Sequence, residues 1–204
     1  NKTLNVLDRN FKFNFKFKNL KRFKKFKTIV LIGMGGSILG AEAIYNFFQE
    51  KIKKEIYFLN DLDENKIKYL KKKGSLSKLL FIVISKSGNT IETLSNTFLL
   101  NIIKKNSKNI ILISEQKNNL LFLLSKKLNL FYVEHKSYIG GRYSVLSEVG
   151  ILPAYLMGIN IIKFRSKILE SLNEQNKNFL KKSTIKIANL MNSRRFDNLI
   201  FLNY

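Results

Sequence analysis

Leu79-Leu80-Phe81-Ile82-Val83-Ile84 runs straight into Ser85-Lys86-Ser87-Gly88-Asn89-Thr90 and on into Ile91-Glu92-Thr93. Six consecutive apolar residues have no polar face, so a strand built from them is covered on both sides. The hydroxyl-rich turn after it holds a glycine and opens a helix, predicted to turn Ile91, Leu94, Phe98, Leu99 and Ile102 inward. Strand, turn and helix in that order form one unit of an alternating α/β fold.

The alternation recurs on both sides of this stretch. Thr28 to Ile32, Ile56 to Leu59, Asn109 to Ile113 and Leu130 to Val133 are four further short apolar runs. Between them lie a helical stripe (Ile38, Ala41, Ile44, Tyr45, Phe48), a short helix from Glu64 to Lys72 closed by Gly74, and a helix from Asn118 to Lys127. The pattern predicts an α/β fold: a parallel five-stranded sheet flanked by helices. After Gly141 the chain reads as helical to about Asn192, with a break near Gly158. Leu199 to Leu202 then reads as the first strand of something new. The start at Asn1 without methionine and the stop inside that run give the expectation of a fragment. The expected organisation is a basic arm over 1–27, a first domain with trailing helices over 28–193, and the start of a truncated second domain over 194–204.

Within the arm, Phe11, Phe13, Phe15 and Phe17 alternate with Lys12, Asn14, Lys16 and Lys18. Period two predicts a half-buried strand, an edge or extended arm laid on the domain. Aromatics interleaved with lysines also suit stacking on single-stranded nucleic acid. The net charge of +23 points the same way. It is spread along the chain, however, and Lys far outnumbers Arg while Pro occurs once and Trp not at all. That is compositional bias on tolerated surface positions, so no nucleic-acid partner is expected.

At 45% hydrophobic, the chain can build a real core. With no cysteine it has neither disulfides nor thiolate metal sites, and its one histidine, His135, has no carboxylates clustered about it. No apolar run is long enough to span a bilayer, and the alternating Phe/Lys start is unlike a signal peptide. A cytoplasmic location with no membrane partner is expected.

Chemistry concentrates where strands end, the place ligands bind in such sheets. Gly33-Met34-Gly35-Gly36-Ser37 follows the first strand. Its glycines admit close backbone approach, and Ser37 stands either as a helix cap or beside a ligand. It departs from the dinucleotide fingerprint, having Ile38 at the sixth position, and from the Walker loop. Ser85, Ser87 and Thr90 bring three hydroxyls to a helix start, which suits a phosphate; capping by Asn89 or Thr90 is the plainer alternative. Gly140-Gly141-Arg142-Tyr143-Ser144 projects an arginine after the fifth strand, where a guanidinium holds an anion or a developing oxyanion.

These three stretches, with Leu39-Gly40, Ser147 and Gly150, resemble the signature stretches of the phosphoglucose isomerase family, in its order. The resemblance covers Thr28 to Gly150. It implies a sugar-isomerase (SIS) domain of flavodoxin-like type, in an enzyme interconverting glucose 6-phosphate and fructose 6-phosphate without metal or organic cofactor. By resemblance, Ser85, Ser87, Thr90 and the backbone at Lys86 hold the phosphate. Gly36 and Ser37 line the sugar, and Arg142 stabilises the enediolate. The family works as a homodimer, and its catalytic glutamate, histidine and lysine lie late in the chain, which places them beyond Tyr204. Glu148 departs from the pattern, which has a small residue there. A non-catalytic phosphosugar sensor shares the Ser85–Thr90 loop but lacks the Gly-Gly-Arg-Tyr-Ser stretch.

Overall fold

The computed structural model describes residues 2–8, 10–171 and 173–193. The chain forms two compact units, one running to Ile161 and one from Ile162 onward. In the first, the strands are β1 (Thr28–Ile32), β2 (Glu55–Leu59), β3 (Leu79–Ile84), β4 (Ile110–Ser114) and β5 (Phe131–Glu134). Its helices are α1 (Phe17–Leu20), α2 (Leu39–Phe48), α3 (Glu64–Lys72), α4 (Ile91–Leu99), α5 (Leu120–Lys127) and α6 (Glu148–Met157). Then follow α7 (Ile161–Ser171) and α8 (Glu174–Asn192), the latter capped by Asn173, whose side chain accepts from Asn176 N at 2.8 Å.

All five strands are parallel, in the order β2-β1-β3-β4-β5. Their side chains alternate between two cores. Ile29, Leu31, Leu80, Ile82 and Ile84 face one, with Ile38 just before α2, Ala41 from α2 and Val149 from α6. Val30, Ile32, Phe81 and Val83 face the other, with Ile67, Leu70 and Leu121 from α3 and α5. This is the expected α/β fold with a parallel five-stranded sheet. The helical reading beyond Gly141 also holds, with α6 ending at Gly158. The strand expected over 199–202, and with it the 194–204 start of a second domain, lies outside the described residues.

Two expectations fail, the second in part. Phe11 to Phe17 is not a strand and joins no ladder. Its phenylalanines are half-buried and its lysines exposed, as alternation demands. The rings satisfy one another instead: Phe13 stacks on Phe15 at 5.1 Å, and Phe17 meets Tyr155 at 4.8 Å. The arm continues into Leu20 and Phe23, which are fully buried in the first core. Secondly, the inward stripe predicted for α4 holds only in part: Leu94 packs on the second core and Ile102, past the helix end, is buried in it, but the other three residues turn outward. Ile91, Phe98 and Leu99 are 74%, 49% and 55% exposed, while Thr93, Asn96 and Thr97 are buried. Asn96 Nδ2 donates to the Asp61 carbonyl at 2.8 Å, and Thr97 Oγ1 to that of Thr93 at 2.7 Å.

Candidate functional site

Strand order reverses between β1 and β3, so the loops that leave their carboxyl ends part and open a crevice. The Ser85–Thr90 loop is one wall. Ser85 Oγ lies 2.8 Å from Thr90 Oγ1 and 3.4 Å from Ser87 Oγ, and Ser87 Oγ lies 3.4 Å from Thr90 Oγ1. Three hydroxyls converge. Thr90 does not cap α4, because its hydroxyl turns to Ser85 and no side chain bonds the helix start. Nor does Asn89, whose Oδ1 accepts from Leu120 N at the start of α5. The first N–H groups of α4 and its positive dipole end therefore remain for an anion.

Only glycine serves at position 88. Its φ is +69°, and a Cβ there would stand 1.9 Å from Asn119 Oδ1. Asn119 is buried and caps α5 by accepting from Phe122 N at 3.0 Å, while Leu121 N donates back to the Gly88 carbonyl at 3.2 Å. The start of α5 thus clamps the loop in its turn.

A cleft of about 370 Å³ opens here, lined by Ser37, Lys86, Ser87, Thr90 and Glu115. Ser37 is no cap: α2 starts without a side-chain bond. Gly36 packs on the third stretch so closely that an added Cβ would stand 2.4 Å from the Gly141 carbonyl and 2.8 Å from Arg142 N. Ser144 Oγ secures the junction by donating to the Gly36 carbonyl at 3.1 Å. The fold therefore brings Gly36, Ser37, Ser85, Lys86, Ser87 and Thr90 together, with the Arg142 backbone against Gly36. The Arg142 side chain is exposed and is not among the residues lining the cleft.

Sequence reasoning missed Glu115. It follows β4 directly, at a strand end like the other site residues, and that position was its signal. Burial pushes its carboxyl up, but Lys117 Nζ at 2.5 Å from Oε2 and Lys86 Nζ at 3.5 Å from Oε1 outweigh burial and hold it below the usual range. His135 is buried away from the lining, its Nδ1 3.0 Å from the Lys136 carbonyl, and burial lowers its pKa. Glu148 is fully buried in the first turn of α6. Its Oε1 accepts from Asn14 N at 2.8 Å and lies 3.7 Å from Lys136 Nζ, while Oε2 has no partner. Burial pushes this carboxyl up. Among the described residues no group of His, Cys, Asp and Glu could hold a metal, and no helix is long and apolar enough to cross a membrane.

The family model for phosphoglucose isomerase matches residues 7–193. The chain belongs to the phosphoglucose isomerase family. A glucose-6-phosphate isomerase of Methanocaldococcus jannaschii is 35% identical over 185 residues, 85% of this chain and 43% of that protein. One of Borreliella afzelii is 36% identical over 82% of this chain and 33% of its own length. The chain thus spans less than half the length of these curated relatives. The crystal structure of a glucose-6-phosphate isomerase from Chlamydia trachomatis superposes with a TM-score of 0.61 at 25% identity, over 80% of this chain and 31% of that one. For the fold alone, tagatose-6-phosphate ketose/aldose isomerase from Escherichia coli superposes with a TM-score of 0.52.

Proposed function

We propose that this chain is the phosphate-holding part of a glucose-6-phosphate isomerase, which interconverts glucose 6-phosphate and fructose 6-phosphate through an enediolate. The observation that carries the reading is the hydroxyl cluster of Ser85, Ser87 and Thr90 beside an uncapped helix start, facing Ser37 across the cleft. A phosphate is the anion such donors fit, because hydroxyls and amides aimed at one point satisfy its oxygens without a counter-ion. Gly36 and Ser37 take the sugar. Arg142, exposed beside the junction, offers its guanidinium to the charge that develops as a proton moves between C1 and C2.

The proton shuttle belongs to the part of the family pattern that follows the first sheet, and the working enzyme is a cytoplasmic homodimer needing no metal or organic cofactor. In this reading 1–27 is an arm of the sugar-phosphate domain at 28–193, and 194–204 leads into a second one. Calorimetric titration tests the assignment. Fructose 6-phosphate and inorganic phosphate should bind and fructose should not; equal binding of fructose would remove the phosphate from the site.

A further inference from the structure

We propose that Lys86 is a positioning residue, whose ammonium ties the end of β3 to the segment that carries Arg142, and that Glu115 holds Lys86 in that pose. The proposal rests on the isomerase reading above. Lys86 stands in the phosphate loop, where a lysine is most simply a cation for the anion. Its contacts say otherwise. Nζ donates to the carbonyls of Ser137 and Ile139, both at 2.9 Å, and lies 3.5 Å from Glu115 Oε1. Two of the ammonium's three N–H donors go to carbonyls, and the Glu115 carboxylate pairs with its charge.

The segment so held leads directly into the arginine turn. Ile139 is fully buried, and Gly140 follows it. The Gly140 carbonyl accepts from Tyr143 N at 2.9 Å, closing the turn around Gly141 and Arg142, and Gly141 packs against Gly36. Three consecutive strand ends are thereby joined. Glu115 N donates to the Lys86 carbonyl at 3.0 Å and His135 N to that of Ser114 at 2.7 Å, while the Lys86 side chain spans from β3 to the residues after β5. Neither the Ser137 nor the Ile139 carbonyl accepts from another described residue.

Glu115 explains why a carboxylate sits in a cleft meant for an anion. With Lys117 on its other oxygen it is fully countered, and its pull keeps the Lys86 ammonium directed across the strand ends and away from the phosphate. Misplacing a catalytic group by about 1 Å can cost on the order of a hundredfold in rate, so a brace three residues from Arg142 acts on turnover.

The test uses the full-length isomerase of which this chain is proposed to be a part, and its variants Lys86→Met, Lys86→Arg, Glu115→Gln and Arg142→Ala. Lys86→Met should lower kcat for fructose 6-phosphate by about tenfold to a hundredfold, with little change in the affinity for inorganic phosphate. Lys86→Arg should recover part of the loss. In the Arg142→Ala background Lys86→Met should cost little more, because the two act as one unit. Glu115→Gln should lower kcat while tightening phosphate binding, since it frees the ammonium for the anion. Phosphate affinity falling in step with kcat in Lys86→Met would make Lys86 a phosphate ligand and overturn the proposal, as would full additivity with Arg142→Ala. Hydrogen exchange separates this outcome from failure of the isomerase reading. If that full-length wild type does not isomerise at all, that reading falls. The brace still stands or falls on whether the amides of Ile139, Tyr143 and Ser144 exchange faster in Lys86→Met, and unchanged exchange would discard it.

Discussion

Ser87 and Thr90 spend their hydroxyls on each other and on Ser85. On the proposed reading, an arriving phosphate exchanges those weak mutual contacts for charge-assisted bonds. Replacing both with Ala should weaken phosphate binding by about 1–3 kcal/mol in total, measured by calorimetry with the fold checked by circular dichroism. Unchanged affinity would take this loop out of the site. Glu148 poses a different residue-scale problem, a carboxylate that is fully buried. It faces Lys136 and the Asn14 amide, with Tyr138 near enough to feel its charge and Glu134 reached through Asn14. Burial outweighs these partners and raises its pKa. The folded state therefore binds the proton more tightly than the unfolded chain, which releases it near about pH 4.3. Stability from this group is present below that pH and is lost as pH rises through the folded value. Glu148→Gln keeps an acceptor for Asn14 N and removes the charge. Its urea midpoint, relative to wild type, should shift in the variant's favour between about pH 4.3 and neutrality. A constant difference across that range would refute a buried charge.

α4 shows at the scale of an element how far a sequence pattern carries. The strands were legible because they are apolar throughout, which leaves no face to misassign. The hydroxyl loop was legible because three hydroxyls at a strand end are unusual. The face of α4 was legible only in part, since Leu94 packs inward but Ile91, Phe98 and Leu99 lie outward and Thr93, Asn96 and Thr97 lie inward. Periodicity reports that a helix has two faces, and the packing of its first turn decides which one is inside. The strand expected over Phe11–Phe17 failed for a related reason. Period two reports two-sidedness and says nothing about a ladder partner. Glu115 went unmarked because, in sequence, a single carboxylate after a strand is ordinary; only its pairing with Lys86 and Lys117 sets it apart. The orientation of α4 is directly testable. Phe98→Gln should change stability by no more than about 0.5 kcal/mol, as at an exposed site. Asn96→Ala should cost about 1–3 kcal/mol by leaving the Asp61 carbonyl without its donor. The reverse ranking in urea denaturation would restore the inward apolar stripe.

Across the whole molecule, the question is whether a cradle, an arginine and a carboxylate already make an isomerase. Aldose–ketose isomerisation needs a base that takes a proton from one carbon and returns it to the next, with a pKa near the working pH. Glu115 is the one carboxylate lining the cleft among the described residues, and two lysines hold its pKa below the usual range. A carboxylate so held is a weaker base, and both its oxygens are engaged. General acid–base catalysis contributes about 10²–10⁴-fold, so a chain with the cradle but no free base should bind the sugar phosphate and turn it over near the background rate. Assaying glucose 6-phosphate formation by the purified 204-residue chain decides this. Binding without turnover is the expected result. Robust turnover that Glu115→Gln abolishes would instead place the base at β4, and with it the whole reaction inside this first sheet.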